Sequence, residues 1–126
     1  MSHSRSVIRI DHRDAHLLQL DAEDWTSRTI TTQTDHAHPH RGDVRTDHEY
    51  FGQVCDALAG VNEILVTGPH TAQSDFRHYV TAHRSSLEPH IVGWETVDHP
   101  TEGQLVALAR TFFQKRDRMA GTSTEP

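Results

Sequence analysis

The run Ile64-Leu65-Val66, framed by Glu63 and Thr67 and broken by Gly68-Pro69, most limits what this chain can become. It is too short for a helix and apolar at consecutive positions, the pattern of a strand buried on both faces. Such a strand needs helices above and below its sheet, and the sequence around it supplies them. Tyr50, Phe51, Val54, Cys55 and Leu58 recur at helical spacing and end at Gly60, a C-capping residue. Ala72, Phe76, Tyr79, Val80 and His83 mark one stripe of a second helix. Ile91 to Glu95 reads as another strand, closed by Asp98-His99-Pro100. Thr101 with Gln104 forms a capping box ahead of a third stripe, Leu105, Leu108, Ala109 and Phe112.

Upstream the signals are those of strands alone. Ser6 to Ile10 and Ala15 to Leu20 flank the turn Asp11-His12-Arg13-Asp14, as in an antiparallel hairpin. After a second polar turn, Asp21 to Asp24, the β-branched stretch Thr26 to Gln33 predicts a third strand. The order β-β-β followed by α-β-α-β-α predicts an α/β fold. Its sheet is mixed but largely parallel, with helices on both faces and an N-terminal β-hairpin at one side.

The 126 residues fit a single domain, 1–126, with an ordered core over about 6–116. Residues 34–48 lack apolar periodicity and are read as an exposed histidine-rich loop, and 117–126 as a frayed polar tail. No apolar run approaches the roughly 18 residues of a membrane span, and the N-terminus lacks a signal-peptide core. The single cysteine, Cys55, excludes an intrachain disulfide, so a cytoplasmic location is expected. Cys55 lies on the apolar face of its helix beside Phe51 and Leu58 and is expected to be a structural thiol. Trp94 is expected in the core, and Trp25, between polar residues, at the surface.

A net charge of -6 with neutral histidines argues against a broad nucleic-acid footprint, which needs clustered Lys and Arg. The 12 histidines would turn -6 into +6 if all were protonated, so partner affinity is expected to depend on pH. His36, His38 and His40 alternate in an extended stretch, where residues two apart share a side. With His48, Asp35 or Asp43 they are the candidate ligands of a zinc or nickel ion, against the reading of a solvated polar loop. Asp11-His12 and Asp98-His99 have the composition of general-base dyads, but both sit at turns, where turn and cap roles explain them better. No Ser or Cys nucleophile stands in a recognisable elbow, so no enzyme is expected. A small hydrolase using His12 or His99 is the weakest alternative.

The string Val7-Ile8-Arg9-Ile10-Asp11-His12-Arg13-Asp14-Ala15 resembles the opening strand and turn of a bacterial family called "translational machinery protein". That family is similar to the third, C-terminal domain of archaeal and eukaryotic peptide-release factors and of Pelota. Two further strings fit: Glu63 through Pro69, and Glu95 through Thr101 leading into Gln104-Leu105-Val106-Ala107. The resemblance covers about Val7 to Phe113. It implies an α-β-α sandwich like that of kink-turn-binding ribosomal proteins. It also implies a non-catalytic binding module acting at the ribosome or on a translation factor, with no cofactor. RNA contact stays open under the resemblance and is disfavoured by the charge.

The segments carrying the likeness nominate Asp11, His12, Arg13, Gly68, Pro69, His70, Asp98 and His99 as partner-binding residues. The Gly-Gly-Gln tripeptide of peptide release is absent, and Glu102-Gly103-Gln104 is better explained by the capping box. Two positions depart from the family pattern: His70 replaces the second glycine of Gly-Pro-Gly, and Gln73 stands where a lysine is common. Without that lysine, anion binding at the turn is weakened.

Overall fold

A hydrogen-bonded sheet of five strands runs through the computed structural model, which describes residues 4–32 and 44–124. The elements are β1 (Arg5–Ile10), β2 (Asp14–Leu20), β3 (Trp25–Thr31), α1 (Val44–Ala57), β4 (Glu63–Gly68), α2 (His70–His83), β5 (Ile91–Thr96) and α3 (Glu102–Thr124). A short 3-10 turn, Glu88–His90, precedes β5. The strand order is β3-β2-β1-β4-β5. The β1–β2 and β2–β3 pairs are antiparallel, whereas β1–β4 and β4–β5 are parallel. The sheet is therefore evenly mixed rather than largely parallel, because the first three strands remain one continuous meander.

Alternation along the strands assigns the two faces. Ile8, Ile10, Ile64 and Val66 pack with Tyr50, Phe51, Val54, Phe76 and Val80 from α1 and α2, and with Leu58 just past α1. Val7, Leu18 and Leu65 pack with Leu105, Val106, Ala109 and Phe113 of α3 on the other face. Ile64, Leu65 and Val66 are fully buried, as a strand between two helical layers requires. Each such side chain stabilises the fold by about 1.5–3 kcal/mol. The result is the expected α-β-α sandwich.

Glycines permit two close approaches. A Cβ at Gly93 would lie 2.5 Å from the Phe112 ring, so its absence lets α3 lie close on β5. Gly60 takes φ +85 after α1, the left-handed conformation expected of a helix-terminating glycine. Asn62 then binds back to the chain start, its side-chain oxygen accepting from the Ser4 amide at 2.8 Å. The Gly60–Glu63 string thus serves a turn into a strand.

Several expectations change. Helix α1 starts at Val44, inside the stretch read as loop, because its first turn is polar and lies ahead of the apolar stripe that reveals a helix. Helix α3 continues through Thr124, where a frayed tail was expected. Two ion pairs hold this extension to the sheet. Arg5 Nη1 donates to Asp117 Oδ2 at 2.9 Å, and Arg116 Nε donates to Glu63 Oε2 at 3.0 Å. Trp94 is half-buried on the edge strand β5, with the Arg77 guanidinium 5.3 Å from its ring centroid. Trp25 is half-buried too, donating from Nε1 to Glu102 Oε1 at 2.8 Å. Among the described residues no helix is long and apolar enough to cross a membrane.

Candidate functional site

Because β1, β4 and β5 run parallel, their carboxyl ends fall on one edge of the sheet, where open α/β sheets tend to bind ligands. The loops leaving those ends contain Asp11, His12 and Arg13, then Gly68, Pro69 and His70, then Asp98 and His99. All eight nominated residues are thus gathered at one place. They come from three segments far apart in the chain.

The first loop is built by Asp11. Its Oδ1 accepts from the amides of Arg13 at 2.7 Å and Asp14 at 2.8 Å, and its Oδ2 accepts from Arg9 Nη1 at 3.1 Å. Partial burial opposes the charge, but the two amides and Arg9 outweigh it and hold this carboxyl below the usual aspartate range. From α1, the Tyr50 hydroxyl donates to the Asp11 carbonyl at 2.9 Å. Asp11 is thus committed to its own turn and does not orient His12. Instead His12 Nε2 lies 2.8 Å from Asp75 Oδ2 on α2, with both side chains about half exposed at 46 % and 59 %.

The second loop is fixed by Gly68 and Gln73. Gly68 has φ +138 and sits directly against the β1 backbone. Gln73 is 7 % exposed, and its Nε2 donates to the carbonyls of Gly68 at 2.6 Å and Glu95 at 2.8 Å. Both amide protons bridge the β4–α2 turn and the end of β5. Gln73 is therefore a structural staple, and its side chain does not present a donor to an anion in front of His70.

The third loop is open to solvent. Asp98 and His99 are 98 % and 93 % exposed and stand 3.7 Å apart, beyond hydrogen-bonding distance. His99 adopts φ +45 immediately before Pro100, a backbone conformation unfavourable for a residue in that place. The capping box follows as expected, with Thr101 Oγ1 accepting from the Gln104 amide at 3.1 Å and Gln104 Oε1 from the Thr101 amide at 2.9 Å. Neither Asp-His dipeptide forms a dyad. No described hydrogen bond or ion pair joins His12 to His99.

The edge thus offers exposed imidazoles, an arginine and carboxylates on a rigid base. Away from this edge the described residues line a groove of about 310 Å³ beside Arg5, Leu20, Arg110 and Phe113 and a smaller one between β3 and α1. An exposed polar edge of this kind suits docking of a large partner.

Of the candidate metal ligands, His36, His38 and His40, together with Asp35 and Asp43, lie outside the described residues. His48 is exposed on α1, its ring against Tyr79 and His83 of α2. Among the described residues, no three His, Cys, Asp or Glu side chains stand close enough to hold a metal ion. Cys55 is buried, and burial pushes its thiol up to about 11, consistent with the structural reading.

Sequence reasoning missed two long-range pairs, His12 with Asp75 and His16 with Glu102. In the second, His16 Nε2 is 2.6 Å from Glu102 Oε2, while Nδ1 is 2.9 Å from Thr29 Oγ1. Hydrogen bonds from Trp25 and His16 hold the Glu102 carboxyl below its ordinary range. Partners 63 and 86 residues apart leave no local signal.

No family model matches the sequence, and no curated protein matches it. Solved structures do share its fold. The Pelota protein of Thermoplasma acidophilum superposes with a TM-score of 0.59 at 19 % identity, over 80 % of this chain and 30 % of that one. The archaeal translation termination factor aRF1 gives 0.58 at 11 % identity, over 97 % of this chain and 42 % of the other. Dom34 of S. cerevisiae, a translation termination-like factor interacting with Hbs1, gives 0.51 at 6 % identity, over 75 % and 29 %. The chain spans between about three tenths and two fifths of the length of these proteins, whose fold it shares over that part.

Proposed function

We propose that this protein is a translation-associated binding module that docks, without catalysis, on the ribosome or on a translation factor. The observation carrying this reading is the convergence of the three strand-end loops on one exposed edge, in a fold shared with Pelota and aRF1. The residues in which the sequence resembles release-factor third domains include those same loops. Their geometry favours contact over chemistry: Asp11 and Gln73 hold backbone, while His12, Arg13, His70, Asp98 and His99 face outward. The partner is addressed by protein–protein or mixed polar contacts rather than by a basic groove, since the net charge is -6. Such work belongs to the cytoplasm.

Sucrose-gradient sedimentation of cell extract containing tagged protein tests the proposal. Co-migration with ribosomal particles or with a translation factor, reduced by Arg13→Glu and His99→Glu in a folded protein, is expected. Recovery only at the top of the gradient, in growth and in starvation, with no translation factor co-purifying, would overturn it.

A further inference from the structure

His48 and Gly52 are four residues apart on α1, and Tyr79 and His83 are four apart on α2, so each pair shares a helix face. The two faces meet. The Tyr79 hydroxyl lies 3.1 Å from where a Cβ on residue 52 would be, so Gly52 lets Tyr79 lie close against α1. Above that contact the rings of His48 and His83 stand 4.9 Å apart, centre to centre, at 60°. The Tyr79 ring packs against both, 5.2 Å from His48 and 4.9 Å from His83 between centres. Both imidazoles are exposed, and Tyr79 is half-buried.

We propose that His48 and His83 form a two-imidazole surface site for a divalent transition-metal ion, with nickel, copper and zinc the ions this chemistry favours. The spacing carries the argument. An imidazole nitrogen binds such ions at about 2.0–2.1 Å, and two ligands at 90–109° about the metal then place their ring centres about 4.5–5.2 Å apart. The observed 4.9 Å between ring centres falls inside that window. Water completes the coordination shell.

The surrounding charge is compatible. His83 lies in the last turn of α2, where the helix dipole favours a cation. The neighbouring Arg84 is neutralised by Asp56 on α1, 2.7 Å away. Bridging α1 and α2 in this way would tie together the two helices that cover one face of the sheet. This site is separate from the strand-end edge and does not depend on the translational reading.

Isothermal titration of the full chain with nickel chloride at pH 7.5 tests the site. Carbon-detected spectra of the imidazoles report which rings are broadened by the paramagnetic ion. A one-to-one micromolar site is expected, with His48 and His83 broadened first. It should be weakened at least tenfold by His83→Ala or by the closer isostere His83→Gln. Replacing His36, His38 and His40 together with Ala should leave it in place. Absence of binding, wild-type affinity in both His83 variants, or loss of the site in the triple variant would each overturn the assignment.

Discussion

A Cβ on Gly68 would lie 2.1 Å from the carbonyl oxygen of Ile10, so the last residue of β4 and the last of β1 meet backbone to backbone. With φ +138 at Gly68, no other residue fits without displacing a central strand. Gly68→Ala is expected to destabilise the fold by at least about 2 kcal/mol, measured by urea denaturation. A change below a few tenths would mean that the two strand ends do not touch.

Gln73 provides a second test at the same edge. Gln73→Leu removes both donors from the carbonyls of Gly68 and Glu95, at a cost of about 1–3 kcal/mol. Gln73→Glu should be worse at pH 7, because an ionised carboxylate would face two carbonyl oxygens. Burial there raises the carboxyl above its unfolded value, so the deficit is smallest near pH 4 and grows as pH rises. Equal stability of the two variants at pH 7 would contradict the staple.

Glu63 links β4 to both β1 and α3. Its carboxylate accepts from Arg5 Nε at 2.7 Å and Arg116 Nε at 3.0 Å. Partial burial opposes ionisation, but these guanidinium bonds outweigh it and lower the carboxyl from its ordinary value. A carboxyl lowered by folding contributes stability that is complete above the unfolded value of about 4.3 and disappears as pH falls through the folded value. Glu63→Gln should therefore cost about 1–2 kcal/mol at pH 7. The difference from wild type should close in thermal melts below about pH 4.

Cys55 is predicted to be inert. With its thiol pushed up to about 11 and its side chain packed between α1 and the sheet, labelling by a disulfide reagent at pH 8 should follow global unfolding. Rapid labelling of native protein, insensitive to stabilising conditions, would contradict the buried placement.

The layered core was legible wherever apolar residues ran consecutively or at helical spacing. Ile64–Val66, the Phe51–Leu58 stripe and the Leu105–Ala109 stripe all occupy the layers expected of them. The ends of helices were not legible where they leave the core: Val44 opens a polar turn, and past Lys115 the described side chains of α3 are exposed, with Asp117 and Arg116 paired to Arg5 and Glu63. The edge residues were nominated from the strings around Asp11, Gly68 and Asp98, and the turn role of Asp11 with them, but their long-range partners were not. That Asp11 binds its own turn follows from the local habit of aspartate in tight turns, whereas the reach of His12 to Asp75 depends on the meeting of segments more than sixty residues apart. Trp25 illustrates the same limit, since its indole is drawn to Glu102 by contacts that only the folded chain creates.

The position of β1 at the centre of the sheet has a consequence for the nascent chain. Its hairpin partner follows at once, but β4, the partner on its other side, is some 58 residues downstream. As the polypeptide leaves the exit tunnel, the meander can zip early while one flank of its first strand waits unpaired, a period of exposure to misassociation with other chains. Slowing synthesis between residues 32 and 63 should lengthen that wait and lower the soluble yield, whereas a chaperone that shields bare strand edges should restore it.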